Sequence, residues 1–320
     1  MLLSFEQIRE FTVGAHQVIQ ENGRIRFLRM PEHLATEFGK VRPIFAERAR
    51  CTADVRICFY TDSRHMRVDA LTQCTSDNSG GKYEIFVDNM PYAIFRKEGA
   101  QRLILELPEG EKLVSIYPPG HNIGMVDRVE LDEGSYVRKP EYSKKFLFLG
   151  DSITQGFSAA HDALSYSNNV ANFFQADSLN WAVAGSCFDP NFLEKTEYDP
   201  DVVVVAYGTN DYASLPDRDT LQKNCAAYLD KLQKLYGDKK IFCISPIWRA
   251  DGDLRRPTGT LEDCRKVIIT EVEKRGFIHV DGMALCPHSP EYYTDGSVHP
   301  NDLGFAIYTQ NLIRLMLPHM

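Results

Sequence analysis

The stretch Phe146-Leu147-Phe148-Leu149-Gly150-Asp151-Ser152-Ile153-Thr154 decides how the second half of this chain is read. Four apolar residues in a row suit a short strand covered on both faces, as in a parallel sheet flanked by helices. A serine at the carboxyl end of such a strand, where the next helix is expected to begin, has its hydroxyl at the edge where open α/β sheets bind ligands. A helix amino terminus there adds free N–H groups and a positive dipole end, both suited to a developing oxyanion. Taken alone, the same residues also read as a tight turn with a capping serine. They are not the Gly-x-Ser-x-Gly elbow, because Thr154 stands two places after Ser152.

Downstream, similar apolar runs recur at Val202-Val203-Val204-Val205-Ala206, Ile241-Phe242-Cys243-Ile244 and Ile278-His279-Val280, with a further strand expected around 179–183. Helical spacing fills the intervals. Leu221, Cys225, Tyr228, Leu229, Leu232 and Leu235 recur before a stop at Gly237; Leu261, Cys264, Ile268 and Val272 recur before Gly276. Thr260 and Asp263 are spaced to cap the second of these helices, and a last helix is expected over 302–317. Strands alternating with helices predict βαβ units and a parallel sheet over 144–320.

Upstream the periodicity changes. From about Arg42 to Val137 the pattern is short and strand-like, with no strong helix. Tyr83-Glu84-Ile85-Phe86-Val87 and Tyr92-Ala93-Ile94-Phe95 flank Asp88-Asn89-Met90-Pro91, which reads as a hairpin with a four-residue turn. Further strands are expected at 102–107, 112–117 and 126–131, so 1–143 is read as an all-β sandwich domain and 144–320 as a second, α/β domain. Two domains also suit a chain of 320 residues.

Composition narrows the partners. A formal net charge of -8 repels phosphate backbones and anionic lipid, so no nucleic-acid partner is expected. The longest purely apolar stretch, Val202 to Tyr207, is far short of a membrane span, which needs roughly 20 residues. The first ten residues carry acids and a base where a signal peptide needs an apolar run, so a cytoplasmic protein is expected. Eight cysteines at irregular spacing, with no Cys-x-x-Cys pair, read as reduced structural thiols. The histidines other than His299 form no metal-type pair, and no metal or organic cofactor is expected.

Three more segments carry candidate chemistry. Gly208-Thr209-Asn210-Asp211 leaves an apolar strand at the same sheet edge as Ser152, so the Asn210 amide is placed to face an oxyanion; an ordinary Asn/Asp turn is the competing reading. Asp295-Gly296-Ser297-Val298-His299-Pro300 precedes the last helix. There His299 offers a base of near-neutral pKa for the Ser152 proton, and Asp295 is near enough to hold the imidazole; a surface turn is the alternative. Gly185 follows the strand expected around 179–183, and its N–H can approach a carbonyl with no side chain in the way. Trp248, at a strand end, is divided between pocket lining and packing. Tyr60, Tyr83, Phe86, Tyr92 and Phe95 offer aromatic faces for sugar, though strand aromatics more often form a core.

Taken in order, the strings Gly-Asp-Ser-Ile-Thr, Gly-Thr-Asn-Asp and His-Pro-Asn, with Gly185 between the first two, resemble the signature blocks of the SGNH (GDSL) hydrolases over about 144–320. The resemblance implies a flavodoxin-like three-layer catalytic domain. It further implies a serine esterase with Ser152 as nucleophile, His299 as base, and an oxyanion hole of the Ser152 and Gly185 N–H groups with the Asn210 amide. The family's acid usually stands three places before the histidine, a position held here by Gly296; Asp295 stands four before, so a Ser-His dyad stays open beside the triad. A sandwich ahead of such a domain looks like the jelly-roll domain of some SGNH carbohydrate acetylesterases. That implies small acyl esters, acetyl first, on a sugar hydroxyl. Thioesterase, lysophospholipase or acyltransferase chemistry at the same site, and a non-catalytic glycan-binding protein, are the alternatives.

Overall fold

A computed structural model describes residues 1–76 and 81–320. The carboxy-terminal part is built on a five-stranded parallel sheet, in the spatial order Ala176–Asn180, Lys144–Gly150, Val202–Ala206, Lys240–Ile244 and Ile278–Val280. The first strand in sequence therefore lies second in space, the 2-1-3-4-5 order of flavodoxin-like folds, with the switch point between Lys144–Gly150 and Val202–Ala206. One face carries the core of Phe146, Phe148, Tyr166, Phe305 and Tyr308, closed by the helix Asp302–Met316. The other carries Leu147, Leu179, Val203, Leu229 and Val272 beneath the helices Arg218–Tyr236 and Leu261–Glu273. Thr260 and Asp263 form the reciprocal cap expected of them. Gly237 is a C-cap, but at φ -65° it is right-handed and does not use glycine's special freedom.

The amino-terminal part contains two antiparallel sheets face to face. One joins Thr12–Val13, Arg56–Thr61, Lys112–Tyr117, Lys82–Val87 and Met90–Arg96; the other joins Gln17–Glu21, Arg24–Leu28, Ile123–Leu131, His65–Gln73 and Gly99–Glu106. Alternate residues such as Ile57, Phe59, Val68, Tyr83, Ile85, Val114 and Val126 fill the space between them. Tyr83 belongs to this core; its hydroxyl accepts the Met125 N–H at 2.9 Å and has the Met125 and Leu71 carbonyls within reach of its single hydrogen, at 2.7 and 2.9 Å. The predicted hairpin is present with a shorter turn. Asp88 and Asn89 both take positive φ, 51° and 62°, which closes a two-residue connection, and Met90 and Pro91 already pair with Val87 and Phe86.

The strand-like reading of the segment from Arg42 fails over its first residues. Pro43–Arg50 is a helix, preceded by the helix Glu32–Val41. Their apolar residues Leu34, Ala35, Phe38, Phe45 and Ala49 belong to the core of the parallel sheet, with Leu147, Leu179 and Trp181, and not to the sandwich. Phe38 is fully buried and stacks on Phe192 at 3.8 Å between centroids. Gly14 also bridges to Leu179 beside the edge strand Ala176–Asn180. None of the described helices is long and apolar enough to cross a membrane, and all eight cysteines are free.

Candidate active site

Ser152, Gly185 and Asn210 follow the carboxyl ends of parallel strands, and Asp295 and His299 lie in the loop before the last helix, Asp302–Met316. Gly150 closes the strand Lys144–Gly150 against the next one: a Cβ there would lie 2.3 Å from Thr154 Oγ1 and 2.7 Å from the Ala206 carbonyl oxygen. Only a residue without a side chain lets the two backbones approach so closely. The chain then turns at once. The helix expected after Ser152 is absent; residues 151–158 form successive turns, with Gln155 N–H to Asp151 O at 2.9 Å and Phe157 N–H to Ser152 O at 2.8 Å. Positive φ at Gly156 and Ser158 stops these turns from propagating into a helix.

Ser152 Oγ lies 2.9 Å from His299 Nε2, across 147 residues of sequence. The other imidazole nitrogen, Nδ1, is 2.7 Å from Asp295 Oδ2. The extra residue in this loop is absorbed by a local closure. Asp295 Oδ1 accepts the N–H groups of Ser297, Val298 and His299, at 2.9, 2.7 and 3.1 Å. The Thr294 N–H returns to the His299 carbonyl at 2.8 Å, and Gly296 takes φ 67° inside the loop. Partial burial raises the Asp295 carboxyl, but the Val298 N–H, the His299 ring and the Ser297 and His299 N–H groups outweigh it and hold the group down at about 2. The carboxyl is therefore ionised at neutral pH. Phe157 packs its ring against the imidazole, 5.2 Å between centroids, and Thr294 Oγ1 ties the loop to the Ser158 carbonyl.

Gly185 and Asn210 come from the two neighbouring strands. The strand before Gly185 ends at Asn180, three residues earlier than expected. Beyond it, Trp181 and Val183 still donate to Phe148 O and Gly150 O, but the Ala182 N–H is taken by the Asn180 side chain. Gly185 then adopts φ 89°, and a Cβ would meet the Phe45 ring at 2.9 Å. Asn210 opens the short helix Thr209–Ser214, and its Nδ2 donates to the Ser186 carbonyl at 3.1 Å, leaving the second hydrogen of the same amide for a ligand. Neither the Ser152 N–H nor the Gly185 N–H finds an acceptor among the described residues.

Two carboxyls flank these donors that sequence reading passed over. Asp151 and Asp211 are fully buried, and burial pushes each up to about 7; proximity to Asp211 adds to the effect at Asp151. Asp151 accepts the Ile153 N–H and Asp211 the Phe188 N–H. Trp248 packs on Tyr293, 5.0 Å between centroids, and stacks with His288. Among the described residues no cluster of three or more His, Cys, Asp or Glu is arranged to hold a metal.

A hydroxyl, an imidazole and a carboxylate in hydrogen-bonded series, at the switch point of a parallel sheet, are the equipment of a hydrolase that works by acyl transfer. Residues 148–307, half of the chain, match the model of the GDSL-like lipase/acylhydrolase family, and the chain belongs to that family of ester-cleaving enzymes. No curated protein sequence matches it. Among solved structures it is similar to the salicylyl-acyltransferase SsfX3 of a tetracycline biosynthetic pathway, at 21% identity over 96% of this chain and 94% of that one, with a TM-score of 0.79. It is also similar to a family two carbohydrate esterase from Cellvibrio japonicus, at 15% identity over 100% and 99% of the two chains and a TM-score of 0.67. The acetyl xylan esterase Est2A from the rumen bacterium Butyrivibrio proteoclasticus matches at 15% identity over 83% and 90%, with a TM-score of 0.61. These likenesses establish the two-part fold, a jelly-roll sandwich followed by the α/β sheet.

Proposed function

We propose that the protein is a serine esterase that removes small acyl groups, acetyl first, from sugar hydroxyls. Ser152 Oγ attacks the ester carbonyl while His299 Nε2 takes its proton, and Asp295 holds the ring with Nδ1 protonated. The tetrahedral oxyanion rests on the N–H groups of Ser152 and Gly185 and on the Asn210 amide. His299 then returns the proton to the departing alcohol, and water, activated by the same ring, releases the acyl group from Ser152. The observation that carries this reading is the unbroken series Ser152 Oγ, His299 Nε2, His299 Nδ1 and Asp295 Oδ2, with contacts of 2.9 and 2.7 Å. The sugar assignment draws support from the fold shared with carbohydrate esterases.

A fluorophosphonate probe is expected to label the wild type and not Ser152→Ala. In a chain-length series of p-nitrophenyl esters, acetate is expected to be preferred, and acetylated xylose or glucose to be deacetylated. No labelling, with sugar binding unaffected by Ser152→Ala, would favour a glycan-binding protein instead.

Transfer of the acyl group to an alcohol is a second reading, favoured by the fold shared with the salicylyl-acyltransferase over nearly the whole chain. Measuring how the acyl group of one ester divides between water and an added alcohol separates the two.

A further inference from the structure

We infer that Arg48, in the amino-terminal helix Pro43–Arg50, is a positioning residue for the oxyanion hole: it fixes the peptide plane that aims the Gly185 N–H. The inference rests on the reading of Gly185 as an oxyanion donor. The Arg48 Nη1 group donates to the Ala184 carbonyl oxygen at 2.8 Å. That carbonyl belongs to the same planar trans peptide as the Gly185 N–H, and the two groups point in opposite directions across it. Holding the oxygen therefore sets the direction of the hydrogen.

The other side of Ala184 is held as well. Its N–H donates to Gln155 Oε1 at 2.7 Å, and Gln155 Nε2 donates to the Arg48 carbonyl at 3.1 Å. Gln155 is buried, three places after Ser152, so it links the nucleophile turn, the Gly185 loop and the amino-terminal helix in one hydrogen-bonded ring. Arg29 secures the approach to this ring. Fully buried, it donates to the carbonyls of Asn180 and Ala182 on one side and of Arg48 and Cys51 on the other. The Phe45 ring and Arg48 Nη1 lie where a Gly185 Cβ would be, at 2.9 and 3.2 Å.

Glycine at φ 89° has wide conformational freedom, and a peptide flip at 184–185 would turn the N–H away from the carbonyl it serves. The guanidinium restrains that flip. It also polarises the peptide, since a cation on the carbonyl oxygen strengthens the N–H as a donor. Both effects grow in value as negative charge develops on the substrate oxygen, so they act on the transition state more than on the bound ester.

Arg48→Ala and Arg48→Lys, measured beside wild type and Ser152→Ala with p-nitrophenyl acetate, test this. Loss of a direct oxyanion donor costs about 100-fold to 1000-fold; loss of the group that aims one is expected to lower kcat by about 10-fold or more. KM should stay within about two-fold, and the inhibition constant of a boronic acid, whose tetrahedral adduct occupies the hole, should rise in parallel with the fall in kcat. Arg48→Lys, which keeps a cation but not the fork, is expected to recover part of the rate, and millimolar methylguanidine part of the rate of Arg48→Ala. If Arg48→Ala does not fold, Arg48→Lys with its thermal melt carries the comparison. An unchanged kcat and boronate affinity in a folded Arg48 variant overturns the proposal and leaves the esterase reading intact. Full activity in Ser152→Ala overturns both.

Discussion

Asp295 and His299 meet inside one closed loop, where a single carboxylate holds the imidazole with Oδ2 and gathers three backbone N–H groups with Oδ1. The acid thus shapes the loop that carries the base, besides orienting the ring. Asp295→Asn keeps the acceptor for the backbone but offers the ring an amide that cannot favour the right tautomer. It is expected to lower kcat by about 1000-fold or more with little change in KM. Steady-state kinetics checks this, and a loss under ten-fold would mean the enzyme works as a Ser-His dyad.

Acid stability follows from the same carboxylate. Its pKa lies at about 2, below the ordinary value of about 4, so the stabilisation it provides is complete above pH 4 and is lost as pH falls from about 4 towards 2. Thermal melts of Asp295→Asn and wild type should accordingly converge in that window.

Asp151 has the opposite sign. With its carboxyl raised to about 7 by burial, the folded state retains a proton that the unfolded chain loses, so stability declines as pH rises from about 4 through 7. Asp151→Asn removes that dependence. The melting temperature of the variant relative to wild type should climb across this interval; a flat difference would show that Asp151 ionises normally.

Gly185→Ala places a methyl group against Phe45 and forces φ 89° on a residue with a Cβ, which costs about 1–2 kcal/mol before any displacement. Relief comes by moving the 184–185 peptide. The expected result is a fall in kcat of about 100-fold in a folded protein, seen by kinetics beside circular dichroism.

Phe38→Ala removes a fully buried ring that joins an amino-terminal helix to the parallel sheet. A loss of about 3–5 kcal/mol is expected in denaturant titration. One common transition should shift, by near- and far-ultraviolet signals alike, because the helices belong to the core they cover.

Much of the fold was legible because its signals are local. Val202–Ala206 is apolar throughout, which suits a strand covered on both faces, and Thr260 with Asp263 marks a helix start within four residues. The helices over 32–50 were missed for the converse reason. Their surfaces are heavily charged, and the apolar residues Phe38, Phe45 and Ala49 answer to Leu147 and Leu179, far along the chain. Pro43 at the first helical position was a start signal passed over. At the site, Ser152, Gly185 and Asn210 stand in recognisable strings after strand ends, and His299 in one just before the last helix. Arg48, Arg29 and Gln155 have none: an arginine on a charged helix gives no hint that its guanidinium lies on a backbone carbonyl 136 residues away.

The placement of Phe38 and Phe45 has a consequence for how the protein is made. Both side chains leave the ribosome long before Phe192 and Gly185, against which they pack, and the sheet strands of the same core have been synthesised. The sandwich strands can pair meanwhile, but these two helices must wait with their apolar sides wet. Such long-range closure slows folding and leaves a nascent intermediate open to aggregation or to capture by chaperones until the last sheet strands arrive.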